Sequence, residues 1–468
     1  MLWVTLLIAC SKTEQPAFDD VPEVETETGA GAGAGEISAV SGLVNVLRFT
    51  VDVDAARSVE LVCEGGGEVH AASSPEGTHH ELRLLGLLAE TTYACAADGE
   101  SFSTTTGEFP YWIPEMVQSG DPAAADGYTL FNHVAHGSAA EEQKLIIVDP
   151  QGRVRWYYEM PAKYTGDLDA TWLGDDRILY GGGYGARPTV ITLEGEEVWQ
   201  GPESAGGVHH HHAEPWGDGG VMTLATQLTT RIEPSDDEDD VFDGFLVEII
   251  DADGAPVWSY SSANLLVDLP PSHSDDPYHA NWVGEIDGDY WVSLRNAKAI
   301  VAVDADGGFL WEMGPYSDFE LRYPDGTAAP ASEWFFGQHA PEVDLPRMLV
   351  YDNGYDREGG EEYSRVVEYE VDLDARVVTV LWSWTESPWY ELIWGDVDRL
   401  DSGRVLITRA HCHNCSTDLE GEYSALIEVD PATDEVVWRL EFVGNTDGLY
   451  RAERFGLCEA FNNRTLCP

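Results

Sequence analysis

The run Leu145-Ile146-Ile147-Val148-Asp149-Pro150-Gln151-Gly152-Arg153-Val154-Arg155-Trp156 decides how this chain folds. An apolar stretch, a turn made of Asp, Pro and Gly, and a second stretch closed by tryptophan read as a β-hairpin. The pattern returns. Ile249-Ile250-Asp251-Ala252-Asp253-Gly254 and Val301-Ala302-Val303-Asp304-Ala305-Asp306-Gly307 repeat the turn, and further copies close on Trp199, Trp258, Trp311, Trp382 and Trp438. An Asp-x-Asp-Gly turn has some likeness to a calcium loop, but its place between two strands makes it a hairpin turn. Six tryptophan-closed copies, spaced by roughly 40 to 70 residues, predict an all-β radial array, a six-bladed β-propeller. Each blade is a four-stranded sheet that cannot bury both faces alone, so neighbours stack around a central channel.

A second periodic feature sits inside the first. His212-Ala213, His279-Ala280 and His339-Ala340 each precede an apolar run: Val221–Leu224, Tyr290–Leu294 and Arg347–Tyr351. The same slot holds Asp169 before Arg177-Ile178-Leu179-Tyr180, and Asp396 before Arg404-Val405-Leu406-Ile407. The run after the slot is expected to be an inner strand, and the pair around the acidic turn to lie further out. Equivalent slots then converge at the mouth of the channel. His212 ends a tract of four, His209 to His212. Strand alternation would point His210 and His212 inward and leave the others as spacers.

The 468 residues carry 85 acidic against 25 basic side chains, a net charge of −60. That field repels phosphate, so nucleic acid and anionic membrane surfaces are disfavoured partners. An anionic substrate would need a local cluster of positive or hydrogen-bonding groups. Residues 37–108 alternate with period two, as in Val44–Val51, Val59–Cys63, Glu81–Leu85 and Thr91–Cys95, and predict a small β-sandwich. Its segment Leu84–Tyr93 resembles the late strand-turn-strand of fibronectin type III modules. Glu108–Pro114 reads as a proline-marked linker to a propeller over residues 115–468.

Residues 1–10 end an apolar run in Leu7-Ile8-Ala9-Cys10, too short to span a bilayer, and resemble a bacterial lipoprotein signal with Cys10 as the lipidated residue. Residues 11–36, rich in Glu, Thr, Gly and Ala, read as a flexible linker. The expectation is an exported protein, lipid-anchored to the cell envelope. Setting Cys10 aside leaves Cys63, Cys95, Cys412, Cys415, Cys458 and Cys467, an even number that suits disulfides. Cys63 and Cys95 pair most directly, since both fall in the small module. Pairing among the other four stays open, with a metal knuckle at His411-Cys412-His413-Asn414-Cys415 as the competing reading.

Three converging imidazoles suit metal ligation, acid–base work or nucleophilic attack. Asp169, Asp396 and Glu214 are available as carboxylate ligands. Arg295, in Ser293-Leu294-Arg295-Asn296, argues for an anion instead, because a guanidinium repels a metal cation and binds an oxyanion with forked hydrogen bonds.

Residues 127 to 455 resemble the bacterial arylsulfate sulfotransferase family, of the type independent of adenosine phosphosulfate. The residues carrying the resemblance are His211-His212, Tyr278-His279-Ala280-Asn281, Ser293-Leu294-Arg295-Asn296, Gly337-Gln338-His339-Ala340, Tyr351-Asp352-Asn353-Gly354 and Ser364–Tyr369. Alanine follows His212 and His339 where the family often has an acidic residue. The resemblance implies sulfuryl transfer from a phenolic sulfate ester to a phenolic acceptor through a covalent sulfohistidine, without a cofactor or metal. It implies His339 as nucleophile, His279 and Arg295 on the sulfate oxygens, and His212 in binding or proton transfer. It further places His211, Asn281 and Asn353 on the substrate. A homodimer is compatible with the sequence. Two competing classes are a non-catalytic extracytoplasmic propeller that binds a ligand or partner, and a metal-dependent hydrolase or lyase.

Overall fold

The computed structural model describes residues 36–40, 43–135, 142–160, 168–183, 185–232, 239–265, 276–359, 361–410, 423–443 and 447–467. Cys10, Cys412 and Cys415 lie outside these residues. Among the described residues the secondary structure is all β apart from two short 3-10 turns.

Six sheets form the blades. Their innermost strands are Asp447–Gly456, Asp169–Gly174, His209–Trp216, Ala280–Ile286, His339–Asp344 and Asp396–Arg399. Each neighbours the next in that order, and the last returns to the first, so the ring is closed. The slot residues thus lie on the innermost strand itself, His212 within it and the others at or just before its start. The runs that follow them, such as Arg347–Asp352 and Val405–Arg409, are second from the axis. The blade that begins the ring takes its innermost strand from the far end of the sequence: Asp447–Gly456 pairs antiparallel with Gly127–Ala135. Met116–Gly120 in turn covers the outer edge of the sixth blade, pairing with Glu435–Phe442.

The closing tryptophans fall on the fourth strand of each blade, counted from the axis, and five of them link the blades. Trp156 donates its indole N–H to the Leu193 carbonyl at 2.7 Å, Trp199 to Ala252 at 3.1 Å and Trp258 to Ala305 at 2.8 Å. Trp382 reaches an Asp434 carboxylate oxygen at 2.7 Å, and Trp438 reaches the Pro150 carbonyl at 2.7 Å. Every acceptor lies in the outer hairpin turn of the next blade, and the Trp438 bond joins the sixth blade to the first. Trp311 packs edge-on against Trp291 instead, with ring centroids 4.5 Å apart. The acidic turns are occupied by their own backbone. Asp251 Oδ1 accepts from the N–H groups of Asp253 and Ala255, and Asp304 Oδ1 from those of Asp306 and Gly308.

The N-terminal unit is one five-stranded sheet folded on itself. Three of the expected short strands merge into a long hairpin, Leu43–Gly65 with Glu68–Leu84, whose register breaks between Asp52 and Val59, and the fourth is the separate strand Thr92–Ala97. The bend lays the two halves together, stacking Phe49 on Phe102 at 5.5 Å around a core of Leu47, Leu61, Leu82 and Tyr93. Cys63 and Cys95, directly opposite on neighbouring strands, are disulfide-bonded, and Cys458 joins Cys467.

The unit is docked firmly. Phe109 and Trp112 of the expected linker pack edge-on against Tyr157 of the first blade. The C-terminal tail returns across the junction, where Ala71 N–H donates to Asn462 O and Arg464 N–H to Val69 O. At the centre of the junction Arg155 forks onto Glu68 at 2.7 and 2.6 Å and also reaches Asp149 at 2.7 Å, all of it buried.

Candidate functional site

Four innermost strands are irregular at the site end. Their pairing registers shift between His209 and Ala213, Ala280 and Trp282, His339 and Glu342, and Leu449 and Ala452. His211, His279 and Ala340 adopt positive φ angles of 62°, 47° and 39°. Bulges of this kind set two residues against one and re-aim side chains. Simple alternation therefore fails in the histidine tract: His211 and His212 point to different places, and His210 contacts His211.

His339 is buried and held from two sides. Its Nδ1 lies 2.8 Å from Asn353 Oδ1. The Asn353 amide nitrogen donates to the carbonyls of Glu391 at 3.0 Å and Trp394 at 2.9 Å, which fixes the oxygen toward the imidazole. His339 Nδ1 must then carry the proton, and Nε2 keeps its lone pair. The Trp394 N–H donates to that nitrogen at 3.3 Å. Burial, followed by the Arg295 charge, holds the His339 pKa well below the ordinary histidine value, so the ring is neutral.

Around it stand the other members. His279 shares Asp276 Oδ2 through Nδ1 at 2.5 Å, and its ring centroid is 4.9 Å from that of His211. Burial lowers the His279 pKa, and the neighbouring His211 and Arg295 add to that, against the pull of Asp276. His210 and His211 meet Nδ1 to Nδ1 at 2.6 Å, so one donates and the other accepts. The ring of Tyr450 lies 6.2 Å from His211 and 6.5 Å from His339. Arg295 donates to the Leu392 carbonyl at 2.8 Å and Asn296 Oδ1 at 2.9 Å, with its guanidinium 5.5 Å from the centre of the Tyr355 ring. The structure therefore brings together His211, His279, His339 and Arg295. It supplies one neutral imidazole of fixed tautomer, two further imidazoles and one fixed cation, a set whose chemistry suits an oxyanion ester.

His212 faces elsewhere. Its Nδ1 is 2.6 Å from Asp169 Oδ2, its Nε2 is 3.3 Å from Glu214, and Arg451 bonds the same Asp169 oxygen at 2.8 Å. Arg451 also donates to the Asn281 carbonyl at 2.8 Å, while the Asn281 amide nitrogen crosses to the Gln338 carbonyl at 2.7 Å. Beyond this layer the axis holds a cavity of about 360 Å³, lined by carboxylates including Asp169, Glu214, Glu342, Asp396, Asp398 and Glu453. Burial and mutual repulsion raise the pKa of Glu342, Asp396 and Asp398, and burial with Asp169 and Asp396 nearby pushes Glu453 up to about 8. An acid whose folded pKa is raised binds more protons folded than unfolded, so its contribution to stability shrinks as pH rises past the unfolded value. For Glu453 that window runs from about 4.3 to 8. The melting temperature is expected to fall across it, and more gently in Glu453→Gln, as thermal melts at closely spaced pH values would show.

Arg451, Tyr450, Trp394 and Asp276 escaped the sequence reading. Arg451 and Tyr450 lie on the closing strand, whose slot carries neither His nor Asp. Asp276 stood three residues before His279 and was the one legible signal among them.

Among solved structures, the chain is similar to a protein of unknown function from Bacteroides caccae, with 14% identity, 68% of this chain and 94% of that one covered, and a TM-score of 0.40. It is similar also to a lignostilbene dioxygenase from Pseudomonas brassicacearum, with 11% identity, 71% and 94% covered, and a TM-score of 0.37. A virginiamycin B lyase from Staphylococcus aureus gives 9% identity, 70% and 99% covered, and a TM-score of 0.35. No curated protein matches the chain. The model of the family described as Arylsulfotransferase (ASST) matches residues 115–451, which reach into every blade and include all four members of the buried cluster. With that match spanning most of the sequence, the chain belongs to the arylsulfotransferase family and is an enzyme of sulfuryl transfer.

Proposed function

We propose that the enzyme moves a sulfuryl group from a phenolic sulfate ester to a phenolic acceptor in two steps, through a covalent sulfohistidine at His339. The observation that carries the reading is the fixed tautomer of His339, neutral and unprotonated at Nε2, where sulfur would displace the 3.3 Å hydrogen bond from the Trp394 N–H. In the first step Nε2 attacks sulfur, the bond from sulfur to the phenolic oxygen breaks, and the phenolate leaves. His339 keeps its Nδ1 proton on Asn353 throughout. Arg295 offsets negative charge on the sulfuryl oxygens and leaving group. In the second step the acceptor phenol gives its proton to an imidazole, with His279 backed by Asp276 the best placed. Its oxygen then attacks sulfur, and the nitrogen–sulfur bond breaks. His212, bound to Asp169 and Arg451, acts on this reading as part of the wall behind the site. Its sequence-derived role in proton transfer passes to His279 and His211. We also place the protein outside the cytoplasm, anchored by lipid at Cys10, on the sequence of residues 1–10.

The test is initial-rate kinetics with 4-nitrophenyl sulfate as donor and phenol as acceptor. Nitrophenolate release with parallel double-reciprocal lines is the expected pattern, together with a sulfated peptide containing His339 after quenching without acceptor. Intersecting lines with no modified peptide would reject the covalent intermediate.

A further inference from the structure

The tetrapeptide Asp352-Asn353-Gly354-Tyr355 joins two parts of the site. Asn353 sets the nucleophile, and two residues later Tyr355 presents its ring to Arg295, whose guanidinium covers it at 5.5 Å from the ring centre. Glycine makes this geometry available twice. Gly354 turns at a φ of 80°, in a space where a Cβ would meet the Tyr363 carbonyl. Gly337, two residues before His339 and at a φ of 65°, would carry a Cβ 2.9 Å from that of Tyr355. Any larger residue there would push the ring away from the nucleophile's strand. The Tyr355 side chain is only half-buried, so part of the ring remains accessible beside the cation.

We propose that Tyr355 is the specificity-determining residue that selects aryl over alkyl sulfate esters, by packing its ring against that of the substrate. The inference rests on the reading that Arg295 and His339 hold the sulfuryl group. In an aryl sulfate the ring is one oxygen removed from sulfur. With sulfur between His339 and Arg295, Tyr355 is an aromatic ring that the same cation already contacts. A planar ring gains from an aromatic neighbour what a puckered saturated ring of the same size does not.

The test is calorimetric titration of the His339→Ala protein, which cannot turn over, with phenyl sulfate, cyclohexyl sulfate and inorganic sulfate. Phenyl sulfate is expected to bind about fivefold more tightly than cyclohexyl sulfate. Adding Tyr355→Leu should bring the two esters within about twofold of each other, with inorganic sulfate unchanged, whereas Tyr355→Phe should keep the preference. An unchanged preference in the Tyr355→Leu protein would overturn the assignment of Tyr355 alone. Failure of all three ligands to bind a folded protein would overturn the sulfate-pocket reading as well.

Discussion

Replacing His339 by alanine is expected to lower nitrophenolate release from 4-nitrophenyl sulfate by on the order of a thousandfold or more, with the protein still folded. The size follows from the step removed. Without the imidazole no covalent intermediate forms, and what remains is a pocket that binds the ester next to Arg295. Asn353→Leu is the sharper companion. It leaves the imidazole in place but removes the acceptor that keeps the proton on Nδ1, so both tautomers become populated and the Nε2 lone pair is no longer guaranteed. A loss of about a hundredfold, smaller than that of a buried carboxylate behind a catalytic histidine, is expected mostly in kcat. Because burial and Arg295 hold the His339 pKa low, the wild-type rate should not fall through the ordinary histidine range on this residue's account as pH drops toward 6. Equal rates for wild type and His339→Ala would leave His339 without a chemical role.

Arg155→Leu is expected to destabilise the protein by about 3–5 kcal/mol, the cost of leaving buried carboxylates without their cation. Glu68 is hydrogen-bonded by Arg155 through both oxygens and also by Asn463 of the C-terminal tail. Burial alone would raise the Glu68 pKa, but the bonds from His70 and Arg155 outweigh it and hold the carboxyl far below the usual range. A depressed folded pKa contributes stability above the unfolded value and loses it as pH falls through the folded one. The difference between wild type and Arg155→Leu should therefore narrow in acid. Glu68→Gln added to Arg155→Leu should recover part of the loss, since it removes a charge that has no partner. Urea melts at pH 7 and at about pH 2.5, well inside that window, would show both effects, and a loss under about 1 kcal/mol at pH 7 would mean that water reaches the junction.

The blades were legible because their signals are local. A tryptophan, an acidic turn and two apolar runs need only each other to make a hairpin, and all of these tryptophans but Trp311 proved to clasp the neighbouring turns. The convergence of His279, His339 and Arg295 was legible as well, since it followed from repeat position. The histidine tract was not. Alternation favoured His210 and His212, but the bulge around His211 is fixed by how Ala213 and His209 pair with the adjacent strand. Such an irregularity is a property of two strands together and leaves little trace in one. Tyr450 and Arg451 stayed hidden for a related reason: their strand is separated by the whole propeller from the blade it completes. The alanines after His212 and His339 also hid where the polar partners come from. Asp169 and Asn353 supply them from other strands.

That same completing strand has a consequence for folding. Five blades draw their four inner strands from neighbouring stretches of sequence and can form from local pairings. The first blade cannot, because Gly127–Ala135 waits for Asp447–Gly456. Until that pairing is made, the ring is an open arc with an unpaired edge, and Tyr450 and Arg451 have not joined the pocket. Activity therefore arrives in a single late event, when the longest-range pairing in the propeller is made.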